Sequence, residues 1–112
     1  MNIREYLDDQ GQSPFGRWFA GLAAPAALKV RTELARLEAG NVSALKSVGH
    51  GVHEIRLDFG PGYRVYLGID GEALVILLGG SAKARQNTAI ADAQKRWHDY
   101  RQRKRRSECE DV

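Results

Sequence analysis

Lys46, Glu54, Arg56, Arg64, Tyr66 and Lys83 are the residues in this sequence best suited to chemistry on a phosphate. Cleaving RNA through its own 2′-hydroxyl needs a base for the hydroxyl proton, an acid for the leaving 5′-oxygen, and cations around the phosphorane. Arginine fits the last task because its planar fork meets phosphate oxygens in pairs and stays charged. Losing one such preorganised donor costs on the order of 10²–10³ in rate. A competing explanation needs no chemistry: a solvated sheet face laced by cross-strand ion pairs, such as Glu54 with Arg64.

The elements that must gather these residues are legible from periodicity. Residues 44–48, 52–59, 62–69 and 73–79 follow strand patterns, with Gly49-His50-Gly51, Gly60-Pro61-Gly62 and Asp70-Gly71 between them. Such short separators imply an antiparallel meander. Alternation puts His53, Ile55, Leu57 and Phe59 on one face and Glu54, Arg56 and Asp58 on the other. Tyr63, Val65, Leu67 and Ile69 likewise oppose Arg64 and Tyr66, and Leu45 as a core residue sends Lys46 to the polar side. A consistent meander therefore collects Lys46, Glu54, Arg56, Arg64 and Tyr66 on one surface, with Lys83, Arg85 and Gln86 at its rim. The Gly60-Pro61-Gly62 turn sets the register, and a one-residue slip would send Arg64 into the core. The run 73–79 is apolar at both parities, as a central strand covered on both sides should be.

Helices flank this meander. Ser13-Pro14 is an N-cap followed by a first helical residue, and Phe15, Trp18, Phe19 and Leu22 form one apolar stripe. A second helix starts near Pro25, carries Ala27, Val30, Leu34 and Leu37, and closes at Gly40-Asn41. A last helix from about Arg85 to Arg103 aligns Ile90, Ala93, Trp97 and Tyr100. With a short first strand within residues 2–7, the order is β-α-α-β-β-β-β-α. That is an α+β fold with an antiparallel-rich sheet packed against an N-terminal helical hairpin and a C-terminal helix.

The chain of 112 residues forms one domain, with residues 100–112 expected as a basic, flexible tail. Net charge is +3, and residues 101–106 read RQRKRR just after Lys95 and Arg96. Clustered cations of this kind release counterions from nucleic acid, or else simply solvate a tail. No apolar run is long enough to cross a membrane, and the N-terminus has no signal-peptide pattern, so a cytoplasmic protein is expected. Cys109 is the single cysteine, which excludes an internal disulfide. His50, His53 and His98 lack the companions of a metal site, and no phosphate-binding glycine loop ends in lysine-serine, so neither metal nor cofactor is expected.

The segments SPFGRWFAGL, ARLEAGN, LKSVGHGVHEIRLDFGPGYRVYLG, LLGGSAK and RQNTAIADAQKRW, spread over roughly residues 13–97, resemble the RelE/ParE superfamily of type II toxin–antitoxin toxins. They are most similar to its HigB-like branch, the phage-related addiction module killer proteins. The resemblance implies a RelE-like fold and a toxin neutralised by a cognate antitoxin, in this branch a small helix-turn-helix protein encoded downstream. It implies cleavage of mRNA on the ribosome as the activity. By that resemblance Arg56 and Arg64 stabilise the phosphate, Lys46 or Glu54 is the base, and Lys83 or Tyr66 assists. Arg85, Gln86, Arg101, Arg103, Lys104, Arg105 and Arg106 would bind RNA or the ribosome. Ala82 and Ala89 stand where the branch carries acidic residues. Two alternatives remain open: a ParE-like inhibitor of DNA gyrase without nuclease activity, and a degraded toxin that keeps only antitoxin binding.

Overall fold

The computed structural model describes residues 1–110, with side chains through Glu108, so the thiol of Cys109 lies outside the described groups. The elements are β1 (Asn2–Glu5), α1 (Pro14–Ala20), α2 (Ala24–Glu38), β2 (Lys46–Gly49), β3 (Val52–Leu57), β4 (Tyr63–Asp70), β5 (Leu74–Ala82), a 3-10 turn at Lys83–Arg85, and α3 (Gln86–Glu110). The α+β order expected from periodicity is the one observed.

The helical hairpin follows its caps. Ser13 is extended, its Oγ accepts the Gly16 N–H at 2.9 Å, and Pro14 opens α1. The same hydroxyl donates to Glu5 at 2.6 Å, which ties the first helix to β1. At the end of α2, Gly40 takes φ +93°, and the Asn41 N–H reaches back to the Arg36 carbonyl at 3.0 Å. Glycine fits here because a left-handed residue is what frees the last carbonyls to find donors.

Four strands form the expected meander, and β1 adds to it as a parallel edge strand, giving the order β1-β5-β4-β3-β2. Pairing with β1 makes β5 an interior strand, which accounts for its apolar character at both parities. The sheet separates two cores. Ile55, Leu57, Val65, Leu67, Val75 and Leu77 meet Phe15, Val30 and Leu37 of the hairpin on one face. On the other, Val52, Tyr66, Ile76 and Leu78 meet Ala93 and Trp97 of α3, with Tyr6 closing that core.

α3 corrects two expectations. It continues past Arg103, where it was expected to end, to Glu110, so residues 104–110 are helix within the expected flexible tail. It also lies across the sheet face that carries Glu54, Arg64 and Tyr66, so this face is no open wet surface. Glycine permits the close approach: a Cβ on Gly68 would sit 2.4 Å from the Trp97 ring.

β5 contains one irregularity. Tyr66 pairs with Gly79 while Leu67 pairs with Leu77, so Leu78 is an extra residue in the ladder. Strict alternation from Leu77 would turn Ser81 toward the hairpin. The bulge reverses that parity and puts Ser81 opposite Arg64, on the α3 face.

Candidate functional site

The turn between β3 and β4 is closed by the Gly62 N–H donating to the Phe59 carbonyl at 3.0 Å, with Gly60 at φ +57° and Gly62 at +81° around Pro61. This turn fixes Arg56 opposite Arg64 and Glu54 opposite Tyr66. β2 extends the second row with Lys46 beside Glu54, and β5 extends the first with Ser81 beside Arg64. The expected set is thus brought together on one face, at the end of the sheet nearest the Gly60-Pro61-Gly62 turn.

Two arginines directly opposite each other repel, and the structure separates their charges. The Arg56 Nε donates to Glu54 Oε1 at 2.8 Å, a pairing along one strand rather than the expected cross-strand bridge from Glu54 to Arg64. Arg64 instead turns back, and its Nη1 donates to the Tyr63 carbonyl at 3.0 Å. Periodicity places the three residues on one face but does not choose between two arginines for one carboxylate.

Burial divides the set. Glu54, Arg64 and Tyr66 are 1%, 5% and 0% exposed, whereas Lys46, Arg56 and Lys83 face solvent. Buried polar groups ordinarily find partners. Here Glu54 Oε2 and Arg64 Nε are buried and have none among the described residues. A buried acceptor and a buried cationic donor without protein partners thus stand at neighbouring rows of one sheet face.

Tyr66 has a different place. Its hydroxyl lies 3.2 Å from Ser81 Oγ, wholly inside the protein. Burial pushes its phenol up, the bond to Ser81 opposes this, and the nearby Glu54 carboxylate adds to the rise. The phenol is therefore a packed, neutral floor beneath the charged residues rather than a group at the surface. Ser81 is the partner that strand alternation alone misses. The Gly79-Gly80 pair inside an apolar strand is the available signal, since glycines in a strand interior mark bulges and close approaches.

The rim is built from the segment after β5. The Lys83 N–H donates to the Gly62 carbonyl at 2.9 Å, fastening the 3-10 turn to the β3–β4 turn. A Cβ on Gly62 would lie 3.3 Å from the Lys83 Cβ and 3.8 Å from Arg64 Nη1, so Lys83 and Arg64 flank the same glycine. Arg85 is exposed beside them, and Gln86 begins α3 with its Oε1 buried and without a partner among the described residues. Arg96 borders the site from above by donating to the Leu78 carbonyl at 3.1 Å across Gly79.

The basic cluster at 101–106 is not uniform. Arg103 bonds Asp99 at 2.6 Å and lies over the Tyr6 ring, and Lys104 bonds Asp70 at 2.6 Å. Both fasten α3 to the body of the protein. Arg101, Arg105 and Arg106 are exposed and in no ion pair among the described residues. No helix among the described residues is long and apolar enough to cross a membrane, and no three potential metal ligands converge among them.

No protein-family profile matches the chain. It superposes on a free-state arginine mutant of the Escherichia coli toxin RelE with a TM-score of 0.61, covering 86% of this chain and 98% of that one at 21% sequence identity. That likeness shows a RelE-like fold. In sequence the chain is 41% identical over 80 residues to an uncharacterized protein of Haemophilus influenzae, a match spanning 70% of this chain and 81% of that protein. The chain therefore belongs to the same family as this Haemophilus influenzae protein, carried on a RelE-like fold.

Proposed function

We propose that the protein is the toxin of a type II toxin–antitoxin module, of the HigB-like branch, and that it cleaves mRNA held on the ribosome without a metal. The observation that carries this is the pair of buried, unpartnered atoms, Glu54 Oε2 and Arg64 Nε, beside the half-exposed Arg56. In the proposed reaction the phosphate is gripped by Arg56 and Arg64. The 2′-hydroxyl gives its proton to Glu54 Oε2, O2′ attacks phosphorus, and the 5′-oxygen leaves with a proton from Lys83. The products are a 2′,3′-cyclic phosphate and a 5′-hydroxyl. Arg56 covers Glu54 in the free protein, so phosphate must draw it aside as the base becomes exposed. Lys46, exposed beside Glu54, adds positive potential. Tyr66 holds the floor rather than touching RNA. Arg85 and Gln86 would meet the strand at the rim.

The Glu54–Arg56 pair and the buried Arg64 also favour a second reading, a catalytically silent relative that keeps only binding to a helix-turn-helix antitoxin. Mapping RNA 5′-ends after brief induction without antitoxin separates the two. New mRNA ends that disappear in Arg64→Ala support the nuclease. Growth arrest with gyrase-linked DNA breaks and no new mRNA ends overturns it in favour of a gyrase inhibitor, and normal growth favours the silent relative.

A further inference from the structure

A second basic surface lies on α3, away from the Glu54 set. An open groove of about 680 Å³ runs between α3 and the β2–β3 turn, lined by His50, Gln94, Lys95, His98, Arg101 and Arg105 among others, with no carboxylate in its lining among the described residues. The α3 members of this set recur at helical spacing, so they form one stripe. Lys95 to Arg105 spans about 15 Å of helix axis at 1.5 Å per residue. That length lets the three cations of the stripe meet phosphates of one strand.

The groove is held in shape by the body of the protein. Gln94 Nε2 donates to the Val48 carbonyl at 3.0 Å, and a Cβ on Gly51 would be 2.6 Å from Trp97 Nε1, so the β2–β3 turn is pressed against α3. Asp92 and Asp99 of α3 face elsewhere: Asp99 meets Tyr6 and Arg103, and Asp92 lies with Trp18 and Arg96 beside Gly80. Glu108, at the far end of the stripe, lines the adjoining groove with Arg101, Lys104 and Arg105, so the least opposed positive charge is toward Lys95. Lys95, Arg101 and Arg105 are in no ion pair among the described residues, unlike Arg103 and Lys104. Val48, under Gln94, belongs to the same strand as Lys46, which stands beside Glu54. The cation stripe therefore approaches the candidate site along the β2 edge.

The geometry points to this groove as the seat of a single-stranded RNA backbone that continues away from the Glu54 site, with Lys95, Arg101 and Arg105 as its phosphate contacts. The proposal deepens the nuclease reading and rests on it for the identity of the polyanion. An acidic peptide is less well matched, because the large apolar side chain in the lining, Trp97, is only 6% exposed and offers no anchor.

The test is binding of a labelled 12-nucleotide oligouridine with 2′-O-methyl groups, which cannot be cleaved, to the full chain across a salt series. The variant Lys95→Ala/Arg101→Ala/Arg105→Ala is compared with Lys29→Ala/Arg31→Ala/Arg36→Ala, which removes equal charge from α2. The groove variant should bind at least tenfold more weakly, with the slope of log affinity against log salt reduced by about 2, at about 0.7 per phosphate contact. The α2 variant should bind as the parent does. Equal losses in both variants, an unchanged slope in the groove variant, or no binding by the parent overturns the groove assignment. So does competition by an acidic peptide at concentrations where unlabelled oligouridine fails to compete. Because this RNA resists cleavage, a parent that binds through the groove yet generates no mRNA ends in cells leaves the groove standing and removes only the nuclease reading.

Discussion

Glu54 and Arg56 occupy the same face of one strand, and a 2.8 Å bond joins a carboxylate that is 2% exposed to a guanidinium that is 47% exposed. The charged head of Arg56 thus closes a buried acid that has one oxygen to spare. Removing one partner of a buried pair costs about 3–5 kcal/mol, but solvent reaches Arg56, which lowers the expected cost of Arg56→Ala to about 1–2 kcal/mol. Urea unfolding measures it, and Arg56→Lys should recover more of the stability than of the toxicity. A fully stable Arg56→Ala protein would show that the pair contributes nothing to the fold.

Arg64 makes one side-chain hydrogen bond, to the carbonyl of Tyr63 beside it in β4, and its Nε has no partner among the described residues. Arg64→Ala should therefore cost about 1–2 kcal/mol in stability and, on the proposed nuclease reading, abolish growth arrest on induction. Thermal unfolding together with growth curves checks both halves. Undiminished arrest by a folded Arg64→Ala protein would remove Arg64 from the site.

Tyr66 and Ser81 share one buried hydrogen bond. Tyr66→Phe and Ser81→Ala should each destabilise by about 1 kcal/mol, and the double variant by less than the sum, because the second change removes a group already deprived of its partner. Strict additivity in a double-mutant cycle would mean that the hydroxyls do not interact. On the proposed nuclease reading, toxicity should survive Tyr66→Phe, since the phenol lies buried against Ser81.

At the far end of α3, burial first and then bonds to Asp99 and Asp70 push the phenols of Tyr6 and Tyr100 up to about 12 from an ordinary value of 10.0. The folded state thus holds these protons where the unfolded chain has released them. Their stabilisation is complete below pH 10 and is lost as pH rises from 10 to about 12. Urea midpoints taken across that interval should fall, and the Tyr6→Phe/Tyr100→Phe protein should show a flatter decline. An equally steep decline in the double variant would place the alkaline transition elsewhere.

Gly68 lies under Trp97, and a Cβ there would stand 2.4 Å from the ring. Gly68→Ala should cost about 1–3 kcal/mol through overpacking, measurable as a lowered denaturant midpoint. Adding Trp97→Leu should relieve part of that cost. A Gly68→Ala protein as stable as the parent would show that α3 can lift from the sheet without penalty.

Much of this architecture is local in origin and therefore legible in the amino-acid order. Ser13-Pro14 starts α1 and Gly40 ends α2 because capping is settled within a few residues. The meander and its face assignments follow from alternation and from turns that permit only one reversal. β1 is harder to read because a strand of four residues, Asn2–Glu5, at the edge buries almost nothing; its place is decided by β5, about seventy positions later.

The candidate site is legible as a set of residues but not as an arrangement. The sequence by itself determined that Lys46, Glu54, Arg56, Arg64 and Tyr66 share a face, because each strand repeats every two residues and the β3–β4 turn fixes their offset. Tertiary structure decided the rest. α3 packs across that face and makes Glu54, Arg64 and Tyr66 interior groups. The bulge at Leu78 turns Ser81 toward Tyr66, against the parity of its own strand. Arg103 and Lys104, neighbours of cations that are in no ion pair among the described residues, are spent on Asp99 and Asp70. Except for the Arg103–Asp99 pair, one turn apart on α3, the outcome depends on which distant charge or surface arrives beside the residue, and periodicity along one strand or helix carries no information about that.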